Sequence, residues 1–130
     1  MPPRIYPTVA ETIEAHRLLI EELGGHHGIR DTGLLESAVI RPENGYYSNL
    51  IEEASALMES LANNGAFIDG NKRICFVMTD VLLRLTGYFL EVDPLEAHKL
   101  ITGAMEKNEF RFPMIRDWIA SVVKPLVGED

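Results

Sequence analysis

From Asn49 onward the apolar residues fall on one helix face. Leu50, Ile51, Ala54, Leu57, Met58 and Leu61 stand at i, i+1, i+4, i+7, i+8 and i+11, and Asn63, Asn64 and Gly65 stop the pattern. It resumes over residues 71–86, where Ile74, Phe76, Val77, Met78, Val81, Leu82, Leu83 and Leu85 cover nearly the whole circumference. A helix that is apolar all round belongs at the centre of a bundle, packed on several sides. An earlier helix is announced by Thr8 as N-cap with Glu11 at N3, the two residues of a capping box. Ile13, Leu18, Leu19, Ile20 and Leu23 supply its apolar surface, and Gly24-Gly25 ends it. His26, His27 and Gly28 form the connecting loop, and Asp31-Thr32 starts a short helix with Leu34, Leu35, Ala38 and Val39. Arg41 to Ser48, with Pro42, Asn44, Gly45 and two tyrosines, reads as a turn or small hairpin. Gly87 stops the central helix, and Tyr88 to Val92 is briefly extended. Asp93 caps the next helix, with Pro94 at N1 and Glu96 at N3. A last helix begins near Pro113 and carries Ile115, Trp118, Ile119 and Val122. The expected fold is mainly α, one compact helical domain over residues 1–130 with short strands at most.

The length of 130 residues suits one domain that buries roughly two-thirds of its unfolded surface. The net charge of −8 argues against general binding to nucleic acid, because an acidic chain gains nothing from counterion release. It leaves room for a small anion held by a few local donors, with Lys72, Arg73 and Arg41 as candidates for a basic patch. The single cysteine, Cys75, cannot form an internal disulfide and sits in an apolar run, so a reducing compartment and a buried, inert thiol are expected. No apolar stretch resembles a signal peptide or a membrane span, so the expectation is a soluble cytoplasmic protein.

The chemistry concentrates in Phe67-Ile68-Asp69-Gly70-Asn71-Lys72-Arg73, between the two apolar helices. Lys72 and Arg73 lie in a helix's first turn, where the dipole disfavours cations by roughly 0.3–1 kcal/mol each. Two cations beside free backbone N–H groups make sense if an anion sits between them, and phosphate suits both side chains. Asp69 can hold Mg²⁺ bridging to phosphate oxygens. Gly70 lets the backbone approach closely. Asn71 can orient a phosphate oxygen, and Phe67 anchors the loop inward. A capped turn accounts for the same residues: Asp-Gly-Asn is ordinary turn chemistry, and Asp69 or Asn71 can cap the helix. Gly65 to Gly70 has the glycine spacing of a P-loop. However, Asn71 intervenes before Lys72, and Arg73 stands where a hydroxyl is needed, so that reading fails.

These seven residues resemble the core of the Fic/Doc signature, written H-x-F-x-D-G-N-K-R in the death-on-curing (Doc) branch. Gly28 to Ala38 with Arg41-Pro42, and Leu82 to Tyr88, resemble the family's flanking segments. The resemblance implies a compact α-helical domain with a small flap beside the active loop, here residues 42–48. It implies transfer chemistry on a protein hydroxyl. Fic proteins transfer a nucleotide monophosphate. In Doc-type members a lysine, here Lys72, fills the place of a second glycine, and the γ-phosphoryl of ATP is transferred to a translation elongation factor. Such members are bacterial toxins blocked by a disordered antitoxin segment that folds onto them.

Carried across, Asp69 would bind Mg²⁺ or assist the acceptor, and Gly70, Asn71, Lys72 and Arg73 would hold the phosphates of ATP, with Arg73 also assisting catalysis. The family's catalytic histidine belongs at position 65, where this chain has Gly65, followed by Ala66. Loss of a general base lowers the rate by roughly 10²–10⁴. His16, His26, His27 and His98 read as ordinary loop or surface histidines. Two explanations of Gly65 stand: a disabling change from histidine, or a natural variant that binds without catalysing. The intact loop favours the first. Three functional classes follow: a kinase toxin impaired at residue 65, a Fic-type AMP transferase, and a catalytically dead partner-binding module.

Overall fold

A computed structural model describes residues 4–127. The capping box is present: Thr8 Oγ1 accepts the N–H of Glu11 at 3.1 Å, and the Glu11 carboxylate takes the N–H of Thr8 at 2.8 Å, opening α1 (Val9–Leu23). Asp31 accepts the N–H of Leu34 to start α2 (Thr32–Ile40), and Asn49 accepts that of Glu52 to start α3 (Leu50–Asn63). Asp93 accepts the N–H of Leu95 at α5 (Pro94–Glu106), with Pro94 in its first turn as expected. Each cap satisfies a helix N–H that would otherwise lack a partner.

The helix with apolar residues all round, α4 (Asn71–Arg84), is the central one, packed by α3, α1 and α5. Its Ile74, Met78, Leu82 and Leu83 join Leu57, Met58 and Leu61 of α3 in a core closed by Ile115 and Ile119 of α6 (Phe112–Val122). Each such side chain contributes about 1.5–3 kcal/mol by leaving water. Cys75 lies fully inside this core, and burial pushes its thiol far above the ordinary value, so it is inert as expected. After α4 the chain forms β1 (Tyr88–Leu90), which pairs antiparallel with β2 (Val123–Pro125), Leu90 opposite Val123. The extended stretch after Gly87 was expected; its partner strand carries too few residues to show a period.

Residues 41–48 take the turn rather than the hairpin of the two expected forms. Arg41–Glu43 is a 3-10 turn around the buried Pro42, and no hairpin follows. Arg41 donates to Tyr47 Oη at 2.7 Å, to Glu59 at 2.9 Å and to Ser60 Oγ at 2.8 Å, and Tyr47 stacks on Phe112 at 5.7 Å. The expected flap is therefore bound to α3 and α6, and Arg41 serves this ion pair rather than a basic patch. Among the described residues no helix is long and apolar enough to cross a membrane.

Candidate active site

Two left-handed glycines shape the loop between α3 and α4. Gly65 (φ +63°) follows the last turn of α3, and Gly70 (φ +79°) is the N-cap of α4. A Cβ on Gly70 would stand 3.2 Å from Ile20 Cδ1 and 3.4 Å from His16 Nε2, so both the conformation and the space call for glycine. Between them Ala66 and Phe67 turn inward and are buried; Phe67 is the anchor the sequence suggests.

The outer edge of the loop is zipped to residues 24–31. Arg30 N–H donates to Ala66 O at 2.7 Å, and Ile68 N–H donates to Gly28 O at 3.1 Å, on either side of an antiparallel bridge between Ile29 and Phe67. The Arg30 guanidinium donates to Gly65 O at 2.6 Å and to Asn64 O at 3.0 Å. Arg73 returns the tie from α4, donating to Gly24 O at 2.9 Å. The Gly28-to-Ala38 segment thus has a physical reason to accompany the loop, because its first residues complete the loop's hydrogen bonding.

Asp69 receives the backbone N–H of His26 on Oδ2 at 3.0 Å and that of Gly70 on Oδ1 at 2.8 Å. These two donors, His26 first, hold its carboxyl below the ordinary value. Asn71 is placed differently from expectation. Its Oδ1 accepts the N–H of Phe67 at 3.1 Å and its Nδ2 donates to Phe67 O at 2.9 Å, so its side chain braces the loop and its backbone N–H is what remains for an anion.

Lys72 and Arg73 have no carboxylate partner among the described residues. With Asp69, Gly70, Asn71 and His98 they line a hollow of about 370 Å³. The same two cations and His98 also border an apolar trough of about 430 Å³ between α1, α4 and α5. Gly70 offers no side chain to cap α4, so the helix's first turn lacks a side-chain cap beside two cations that have no carboxylate partner among the described residues. That combination stabilises an anion.

The fit for Mg²⁺ is partial. No cluster of three or more His, Cys, Asp or Glu residues suited to a metal occurs among the described residues. Asp69 is a single carboxylate whose oxygens each keep a lone pair. Such a donor suits Mg²⁺ carried in with phosphates that fill most of its shell, not a free ion.

Position 65 has no side chain to take a proton, and the Arg30 guanidinium lies 3.2–3.8 Å from where a Cβ would stand. His26, His27 and His98 are exposed, as read from the sequence. His16 is not: it is 3% exposed, donates from Nε2 to Asp69 O at 2.7 Å and stacks on Phe67 at 3.8 Å. The signal that could have found it is helical spacing, since Thr12, His16 and Ile20 form one buried stripe on α1.

Residues 6–83, which hold the whole loop, match the Fic/DOC family. Over 75 residues the chain is 40% identical to "Toxin Doc" from Mycolicibacterium smegmatis (strain ATCC 700084 / mc(2)155). That alignment covers 54% of this chain and 58% of the relative, so the chain spans little more than half of the protein it matches. A match over more than half of the chain, running through the whole Asp69-to-Arg73 loop, settles the lineage: this chain belongs to the Fic/DOC family, on its Doc-like branch.

Proposed function

We propose that this is the toxin of a toxin–antitoxin pair, acting in the cytoplasm, that transfers the γ-phosphoryl of ATP to a hydroxyl of a translation elongation factor, and that it is impaired in the form carrying Gly65. One observation carries the reading: Lys72, Arg73 and the uncapped first turn of α4 converge on one hollow beside Asp69. The similarity to "Toxin Doc" of Mycolicibacterium smegmatis supports the toxin part. The phosphoryl acceptor and the antitoxin segment follow from family resemblance.

In this mechanism the backbone N–H groups of Asn71 and Lys72, with the Lys72 and Arg73 side chains, hold the triphosphate and offset charge that builds as the bond to the leaving group lengthens. Asp69 would hold Mg²⁺, which when bound neutralises phosphate oxygens. The acceptor oxygen forms a bond to the γ-phosphorus, the bridging oxygen leaves with the electron pair as ADP, and the acceptor's proton must go to a base. With Gly65 no side chain receives it, so positioning survives and the rate falls by roughly 10²–10⁴.

The test is Gly65→His beside the unchanged chain, each incubated with Mg²⁺, bacterial extract and ATP labelled at α or at γ. Transfer of γ label by the histidine form alone is the expected result. Transfer of α label means AMP transfer and overturns the role given to Lys72. No label from either form, with no nucleotide binding, leaves a partner-binding module.

A further inference from the structure

We infer that His16 is a positioning residue of the anion-binding loop: its Nε2–H holds the Asp69 carbonyl and thereby fixes Gly70 at the mouth of α4. The inference rests on the reading of this loop as a phosphate cradle.

The geometry assigns the proton. A backbone carbonyl only accepts, so the 2.7 Å contact from His16 Nε2 to Asp69 O requires hydrogen on Nε2. The ring has little freedom to do anything else. It is 3% exposed and lies 9° from parallel with Phe67, which is itself 2% exposed. Its neighbours on the same stripe of α1 are Thr12 and Ile20, both buried.

What the ring touches is the turn itself. Asp69 O belongs to the peptide joining Asp69 to Gly70, whose rotation sets where the Gly70 N–H and the first turn of α4 point. Gly70 sits at φ +79°, a conformation open to other backbone choices in a free chain. Three contacts restrict those choices: His16 on the carbonyl, and His26 and Gly70 N–H groups on the Asp69 carboxylate. The His26 contact is exposed to solvent, whereas the His16 contact is part-buried and comes from a ring that is itself buried. Water therefore competes less for the histidine bond than for the His26 bond, and putting an apolar ring at position 16 would leave the Asp69 carbonyl without that donor. His16 lies behind the loop and does not reach the reacting atoms. It acts through Asp69 and Gly70.

The test uses the full chain and two variants. His16→Phe keeps the ring stack and the volume but removes the donor. His16→Gln keeps an N–H the same number of bonds from Cα. In the unchanged protein, nitrogen-15 spectra should show the His16 proton on Nε2, in slow exchange with water; a proton on Nδ1 alone overturns the inference. In His16→Phe, amide exchange should quicken about tenfold at Ile68 and Gly70, the scale of one net hydrogen bond, while the interior of α3 and α4 stays unchanged. Binding of ADP with Mg²⁺ should weaken about tenfold and recover to within about threefold in His16→Gln. Uniform quickening of all amides, or no recovery in a folded His16→Gln, overturns it as well. If the unchanged protein binds no ADP, the nucleotide reading fails, and the proton assignment and local exchange still decide the role of His16.

Discussion

Asn71 and Phe67 hold each other across the loop by two hydrogen bonds, one in each direction between the carboxamide and the backbone, at 3.1 and 2.9 Å. Phe67 is buried, so its N–H and C=O would otherwise have no partner. Asn71→Ala removes both bonds at once. It should lower unfolding stability by about 2–3 kcal/mol, read by urea titration. Asn71→Asp keeps only the acceptor and should fall between. Equal stability in all three chains would mean that the loop finds other partners.

Asp69 has a carboxyl held below its ordinary value by the N–H groups of His26 and Gly70. The sign follows. A depressed folded value adds stability that is complete above the unfolded value of about 3.8 and is lost as pH falls through the folded one. Asp69→Asn should therefore melt below the unchanged chain at pH 6, with the gap shrinking on acidification below about pH 4. A gap independent of pH would assign the effect to something other than the carboxylate charge.

Gly65 stands at φ +63°, where an L residue is strained by roughly 1–2 kcal/mol. Gly65→Ala should lose about that much stability and gain no activity. Gly65→His should lose a similar amount, since its Cβ also meets Arg30, and yet be the form that transfers phosphoryl. Thermal melts beside the labelled-ATP assay check both halves. A histidine form as stable as the glycine form would mean that the backbone at 65 relaxes out of the left-handed region.

Arg41 and Glu59 form an ion pair at 2.9 Å, and Glu59 also accepts the N–H of Phe112 at 2.7 Å. Arg41→Ala should destabilise the chain by about 2 kcal/mol, because a partly buried carboxylate loses its cation. Nucleotide binding, measured by calorimetry below the melting range, should stay within about twofold of the unchanged chain. A parallel loss of binding would place residues 41–48 at the site after all.

Elements whose causes are local could be read directly from the chain. The Thr8–Glu11 box, the Asp31, Asn49 and Asp93 caps and the circumferential apolar pattern of α4 each act within a turn or two of their own positions. The loop was legible for the same reason: Asp69 to Arg73 are consecutive, and two cations at a helix start violate a local preference. What holds that loop comes from packing between distant segments. His16 lies 53 residues from Asp69, Arg30 lies 35 from Gly65, and Arg73 lies 49 from Gly24. No periodicity encodes such pairings, because a hydrogen bond between distant residues exists only after α1 has docked on α4. The same holds for residues 41–48, whose turn-forming composition was visible but whose side of the molecule was set by Glu59 and Phe112. It holds too for Asn71, read as a ligand for phosphate and engaged instead by the backbone of Phe67.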